Sequence, residues 1–278
     1  KECSKKQILK LNKDDFINIW DKVISALESA VDYFRSFYRI PVSQLLPYDS
    51  LLVPFTYFFF HHKDIPLDQK QDFLQDYFWR VVLTSRFSTS LEAKIGQDIR
   101  KIDLILSNQR PSYDEPVDIT PEYFSSHGWF ATGTAYIKGF LCILAYQQPK
   151  SFANNALVNI NNSWLKQANS KNYHHFFPKA YLAKRNFENW EINHIANITI
   201  VDDFLNKRSI RDRAPSKYIS DYQKINPDLE ATLATHLIGP IEESGIINND
   251  YDKFFNHRLQ KFSDEFRKRL ILQSSDHS

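Results

Sequence analysis

Between Asp14 and Tyr146 apolar side chains return every three to four residues, and a chain with that rhythm buries them only as stripes on packed helices. In the first such stretch Phe16, Ile19, Trp20, Val23, Ile24, Leu27, Ala30, Val31 and Phe34 share one face of a helix predicted over 14–37. Asp14 stands where a cap is needed, and Pro41 stops continuation. Residues 51–60 are apolar on every side, which predicts a buried helix with Pro54 tolerated in its first turn. The pattern repeats over 67–85 and 91–106, then over 121–126 and 136–146 after a polar, Pro-bearing connector. Residues 1–150 therefore read as an all-helical domain, and 42% hydrophobic content is ample for its core.

The character changes over 147–170, where Asn154, Asn155, Asn159, Asn161 and Asn162 favour turns. A boundary belongs there, leaving 151–278 as a second domain. It opens on Tyr173-His174-His175-Phe176-Phe177-Pro178 and continues with a short helix over 179–185. A β-branched run over 195–201 reads as a strand, and a helix over 202–210 starts on Asp202-Asp203. Pro215 punctuates a basic loop, 227–238 is amphipathic, and 250–272 closes the chain as a long helix. That helix turns Phe254, Leu259, Phe262, Phe266 and Leu270 inward, with Arg258, Lys261, Arg267, Lys268 and Arg269 on the other face.

Composition excludes several classes. No run approaches the ~20 apolar residues of a membrane helix, and nothing at the start resembles a signal peptide. Two cysteines, Cys3 and Cys142, make neither a disulfide framework nor a thiolate zinc site, and they fit a reducing cytoplasm. A formal net charge of +2 does not by itself announce a nucleic-acid partner. The chain contains no Met, which suggests a piece of a longer polypeptide.

Chemistry-bearing groups concentrate in 173–217. Phosphodiester hydrolysis needs a base for water, neutralisation of the phosphate and stabilisation of the leaving oxygen. A histidine serves as the base near neutrality, with the rate expected to climb between about pH 6 and 8, and a divalent cation supplies the rest. His174 and His175 point to opposite sides of an extended segment, so one can bind metal while the other addresses water. Asn206, on the predicted helix, offers a carboxamide ligand, and Asn197 can hold a loop or ring by hydrogen bonds. Lys207, Arg208, Arg211, Arg213 and Lys217 stand against Asp212 alone, a local cationic excess suited to backbone phosphates. Trp79, Trp129, Trp164 and Trp190 read as core.

His-His-Phe-Phe-Pro, then Ile-Ala-Asn-Ile-Thr-Ile, then Asn206-Lys207 resembles a His-Me-finger (HNH-like) nuclease module. The version it is similar to forms the C-terminal part of GmrSD-type restriction endonucleases of bacterial phage defence. Leu46-Pro47-Tyr48-Asp49 and Ser85-Arg86-Phe87-Ser88 extend the likeness into the helical half. The resemblance implies a mainly α protein carrying a small ββα-metal nuclease core with flanking helices. It implies His175 as general base, Asn197 as the orienting residue of the catalytic set, and His174 and Asn206 as ligands of Mg²⁺ or Mn²⁺. DNA is then the substrate, gripped by Lys207, Arg208, Arg211 and Lys217. The nucleotide-hydrolysing sensor domain of such proteins has no counterpart in this sequence. The alternative is a non-catalytic DNA-binding or interaction module on the same fold. A zinc site of His174, His175 and His194 is a third reading.

Overall fold

The computed structural model of the chain describes residues 10–161, 173–201, 210 and 212–278. Helices dominate it: α1 Lys13–Ser36, α2 Leu52–His61, α3 Asp68–Leu83, α4 Leu91–Leu106, α5 Pro121–His127, α6 Ala135–Tyr146, α7 Lys179–Ala183, α8 Asn189–Ile192, α9 Pro215–Ile225, α10 Leu229–Ala234 and α11 Tyr251–Arg267. The sheet among the described residues is one antiparallel pair, β1 Tyr173–His175 and β2 Ile198–Ile200. The fold is mainly α, and no helix among the described residues is long and apolar enough to cross a membrane.

The chain divides into two compact units that alternate along the sequence. One takes residues up to Arg39, Pro47–Asp118 and Arg267–His277, the other Ile40–Leu46 and Ile119–Phe266. This division differs from a single boundary near 150, because the helices of 119–150 pack with the later residues.

In the first unit Asn12, not Asp14, caps α1: its Oδ1 accepts the Asp14 N–H at 2.8 Å. Asp14 and Asp15 then sit in the first turn, where carboxylates favour the positive helix end. Of the stripe expected on α1 only Ala30 and Phe34 are buried, with Ala26 and Tyr33 beside them, while Phe16, Ile19, Trp20 and Val31 are exposed. The reason is length, since α2 has 10 residues against 24 in α1 and cannot reach the first turns. Phe34, Phe55, Phe78 and Tyr38 fill the contact, the last two with ring centroids 4.2 Å apart. Buried Arg80 on α3 donates to Asp76 at 3.0 Å, Asp276 at 2.6 Å and the Ile271 carbonyl at 2.8 Å, tying the last residues to this core.

The second unit is built on α6 and α11, whose Phe140, Phe262 and Phe266 meet edge-on at 5.0 Å with Phe124 alongside. Phe254, Leu259 and Leu270 are inward as expected. The basic loop at Pro215 is instead helix α9, with the proline in the first turn where its missing N–H costs nothing. Arg258 is not on a solvent face either. It is 1% exposed, and its guanidinium donates to the Ala196 and His236 carbonyls, each at 2.8 Å. Burial pushes it down to about 9. Arg269 is buried as well, so the expected cationic face of the last helix is thinner than its sequence.

Candidate active site

β1 and β2 pair in one register: Tyr173 with Ile200, His174 with Thr199, His175 with Ile198. Alternation along the strand sends the two histidines to opposite faces. His174 goes inward and is 3% exposed, its ring 6.5 Å from that of Tyr218 on α9. Thr199 Oγ1 donates to the His174 carbonyl at 3.2 Å and ties the strands together beside it.

His175 turns the other way, and its Nε2 lies 3.2 Å from Asn193 Oδ1. The Asn193 amide is itself oriented, because its Nδ2 donates to Asn189 O at 3.1 Å and Asn189 Oδ1 at 2.6 Å. Its oxygen is thus left to accept from His175 Nε2–H, and the lone pair of that ring stands on Nδ1. Burial first, then the charges of Lys179 and His174, pushes His175 down to about 3, while the Asn193 bond resists. The imidazole is therefore neutral throughout the physiological range.

Asn197 is fully buried and holds the exit of the hairpin. Phe177 N–H donates to its Oδ1 at 2.8 Å, and its Nδ2 donates to Phe177 O at 3.0 Å and Ile192 O at 3.1 Å. Its own carbonyl accepts Phe176 N–H at 2.8 Å. One side chain thus clamps the segment after His175 to the 3-10 turn Ile195–Asn197 and to the end of α8. Arg258 braces the same turn from below through Ala196 O.

His194 is committed to structure. Its Nδ1 accepts Ala196 N–H at 3.0 Å and its Nε2 donates to Phe124 O at 3.1 Å, so neither nitrogen is left for a zinc ion with His174 and His175. The ring lies against Gly128, where an added Cβ would stand 2.1 Å from Nε2, and only glycine fits. Around it the backbone of 128–130 pairs with 193–195: Phe130 N–H donates to Asn193 O at 2.9 Å and Ile195 N–H to Gly128 O at 2.8 Å.

The other expected site residues divide. Asn206, Lys207, Arg208 and Arg211 lie outside the described residues, as does Trp164. Lys217 is exposed on α9. The charge around it is more balanced than the sequence suggested, because Arg213 is bonded to Asp221, which also takes Lys224 at 3.2 Å. Asp212 pairs with Lys184 at 3.1 Å. Trp79 is core, but Trp129 and Trp190 are 47% and 49% exposed, against the expectation for both. Sequence reasoning missed Asn193, whose one signal is its spacing of four from Asn189 on a helical turn.

The donors in view do not by themselves fit a divalent cation. A hard cation wants several oxygens, and the described part of the expected ligand set is one buried imidazole, His174. Among the described residues no three His, Cys, Asp or Glu side chains gather to hold a metal ion.

No family model matches the chain, and no solved structure matches it. It is similar to an uncharacterized protein of Methanocaldococcus jannaschii, 24% identical over 281 residues, which covers 91% of this chain and 45% of that protein. The chain thus spans about half the length of the curated relative it matches.

Proposed function

We propose that the chain is a DNA endonuclease hydrolysing phosphodiester bonds, with His175 activating water. The observation that carries this reading is the two-sided fixing of His175. Asn193 holds its ring from Nε2, and Asn197 holds the backbone that leaves it. In this reading a water bound at Nδ1 gives up its proton as it attacks phosphorus, and Nε2–H keeps the ring in one tautomer. Lys179, whose charge is felt at His175, is placed to offset the phosphate. The phosphate anion in turn raises the basicity that burial has lowered, so the base strengthens when substrate arrives. A small antiparallel strand pair, with the proposed base at the end of β1, supports the likeness to a ββα nuclease core. The helix that would complete that core and carry Asn206 falls within 202–210, most of which is outside the described residues.

A requirement for Mg²⁺ or Mn²⁺, with His174 and Asn206 as ligands, belongs to the proposal through the resemblance, as does a role in phage restriction. No step above is routed through the ion. The non-catalytic alternative draws on one observation, the low basicity of His175 in the free protein. A plasmid-nicking assay of the chain and of His175→Ala, with Mg²⁺, with Mn²⁺ and with EDTA, decides between them. Cleavage that needs the cation and His175 supports the nuclease. Retained DNA binding without any nicking supports the alternative.

A further inference from the structure

We propose that Trp129 and Trp190 form a stacking site for unpaired nucleobases beside His175, so that the preferred substrate is single-stranded or locally unpaired nucleic acid. The inference rests on the nuclease reading for the bond broken, but its own content is base recognition.

Most aromatic side chains of this unit are buried, whereas these two indoles are each about half exposed. Neither makes a ring contact with another described side chain. Both are fixed to the backbone that orients His175. Trp190 is the second residue of α8, and the residue capping the end of that helix is Asn193, the partner of His175 Nε2. Trp129 is bridged to His194, between the bonds Phe130 N–H to Asn193 O and Ile195 N–H to Gly128 O. The scaffold under them is rigid. Glu188 and Glu191 lock the start of α8 as a capping box, and Tyr251 Oη donates to Glu191 O at 2.6 Å. Gly128 admits His194 below the Trp129 segment.

An exposed indole on a rigid backbone can present a flat apolar face, and every base has a π-face to lay on it regardless of sequence. In a duplex that face is hidden by stacking and pairing, so two such rings discriminate for unpaired bases. Lys179, at the start of α7 next to His175, supplies a cation for the intervening phosphate. Glu188 and Glu191, the carboxylates flanking Trp190 in sequence, are turned onto backbone N–H groups by the capping box.

The test uses the full chain carrying His175→Ala, so that no probe is consumed, in EDTA. The probes are a fluorescein-labelled oligothymidylate, the same strand annealed to its complement, and a strand of equal length made of abasic nucleotides. Trp129→Ala and Trp190→Ala are each expected to weaken oligothymidylate binding about 10-fold. Both are expected to leave the abasic strand unaffected, and Trp→Phe at either position retains most of the affinity. Indole emission quenched by oligothymidylate is expected to fall in Trp190→Phe and Trp129→Phe. Unchanged single-strand affinity in both alanine variants overturns the proposal. So does a change of oligomeric state by light scattering with binding intact, which makes the rings a protein contact. Nicking by the unsubstituted chain is measured in parallel. Trp-dependent binding without nicking sinks the nuclease reading alone, and nicking without Trp dependence sinks the stacking site alone.

Discussion

Asn197 and Phe177 exchange two hydrogen bonds across 20 residues, the carboxamide oxygen accepting at 2.8 Å and its nitrogen donating at 3.0 Å. A third bond runs to Ile192 O, and all of these groups are in the core. Asn197→Ala leaves a buried donor and two buried carbonyls to make other arrangements. The expected loss is about 2–5 kcal/mol, since each buried orphan costs ~1–3 kcal/mol with some relaxation. Amide exchange at Phe177 reads it directly, and protection there equal to that of the unsubstituted chain would show that the clamp contributes nothing.

His175→Ala is expected to lower nicking by ~10²–10⁴-fold with DNA binding nearly intact. Asn193→Ala leaves the base in place but frees its ring, and removal of an orienting group typically costs ~10–100-fold. That loss should fall on kcat rather than KM, and Asn193→Asp, which keeps an acceptor for Nε2–H, should recover part of it. Single-turnover rates measure both. An Asn193→Ala enzyme as fast as the unsubstituted chain removes Asn193 from the orienting role.

The pH profile follows from the same site. With His175 depressed to about 3, the free base is already neutral above pH 5. The rise between about pH 6 and 8 expected of an unperturbed imidazole is therefore replaced by a flat kcat/KM over that range. A rise with a midpoint near 6.5 would mean that His175 is hydrated in solution or is not the base.

How far these features can be read from the sequence depends on the range over which each is determined. The helices of 91–106 and 136–146 are legible because their apolar period is local, and they are found within a residue of expectation. The strand of 198–200 follows from its β-branched residues, although the run expected to be extended began at 195, where the structure has a 3-10 turn. What fails is what distant residues decide. Trp129 and Trp190 read as core because aromatic residues at helical spacing usually are, yet both belong to backbone of the loop and short helix around Asn193 and are about half exposed. Arg258 carries the period of a solvent face but is turned inward, because the Ala196 and His236 carbonyls need a donor. No local pattern announces either outcome.

Acid is expected to unfold the second unit through its histidines. His175 and His236 are pushed down to about 3 and His194 to about 4, in each case mainly by burial. Their unfolded values are near 6.5, so the unfolded chain binds protons first. The stability they contribute is complete above pH 6.5 and falls as pH drops towards the folded values. Between about pH 6 and 5 each group contributes up to ~1.4 kcal/mol per pH unit, before most carboxylates titrate. Thermal unfolding across pH 5–8 should show a steep decline below 6.5. His236→Gln, which keeps a donor for the Lys150 carbonyl now bonded at 2.7 Å, should flatten it by about one proton. A melting temperature independent of pH over 5–6.5 would be incompatible with these buried neutral rings.

If the chain binds DNA as proposed, salt dependence separates cations that grip phosphate from those already neutralised. By sequence, Lys207, Arg208, Arg211, Arg213 and Lys217 are equivalent members of one basic run. In the fold Arg213 is bonded to Asp221, on the same helix as the exposed Lys217, and Asp221 also draws in Lys224. A cation held by a carboxylate releases few counterions from DNA, because its charge is spent locally. Each free cation that neutralises a phosphate steepens the plot of log affinity against log salt by ~0.9. Lys217→Ala is therefore expected to reduce that slope by about one contact, as Arg208→Ala and Arg211→Ala are on the basic run of the sequence alone, and Arg213→Ala to leave it nearly unchanged. Asp221→Asn should steepen it by releasing Arg213 towards the phosphates. Fluorescence anisotropy of a labelled duplex over a salt series measures all five variants. Equal slopes for Arg213→Ala and Lys217→Ala, both below that of the unsubstituted chain, would place Arg213 on DNA and show that the pairing with Asp221 opens on binding.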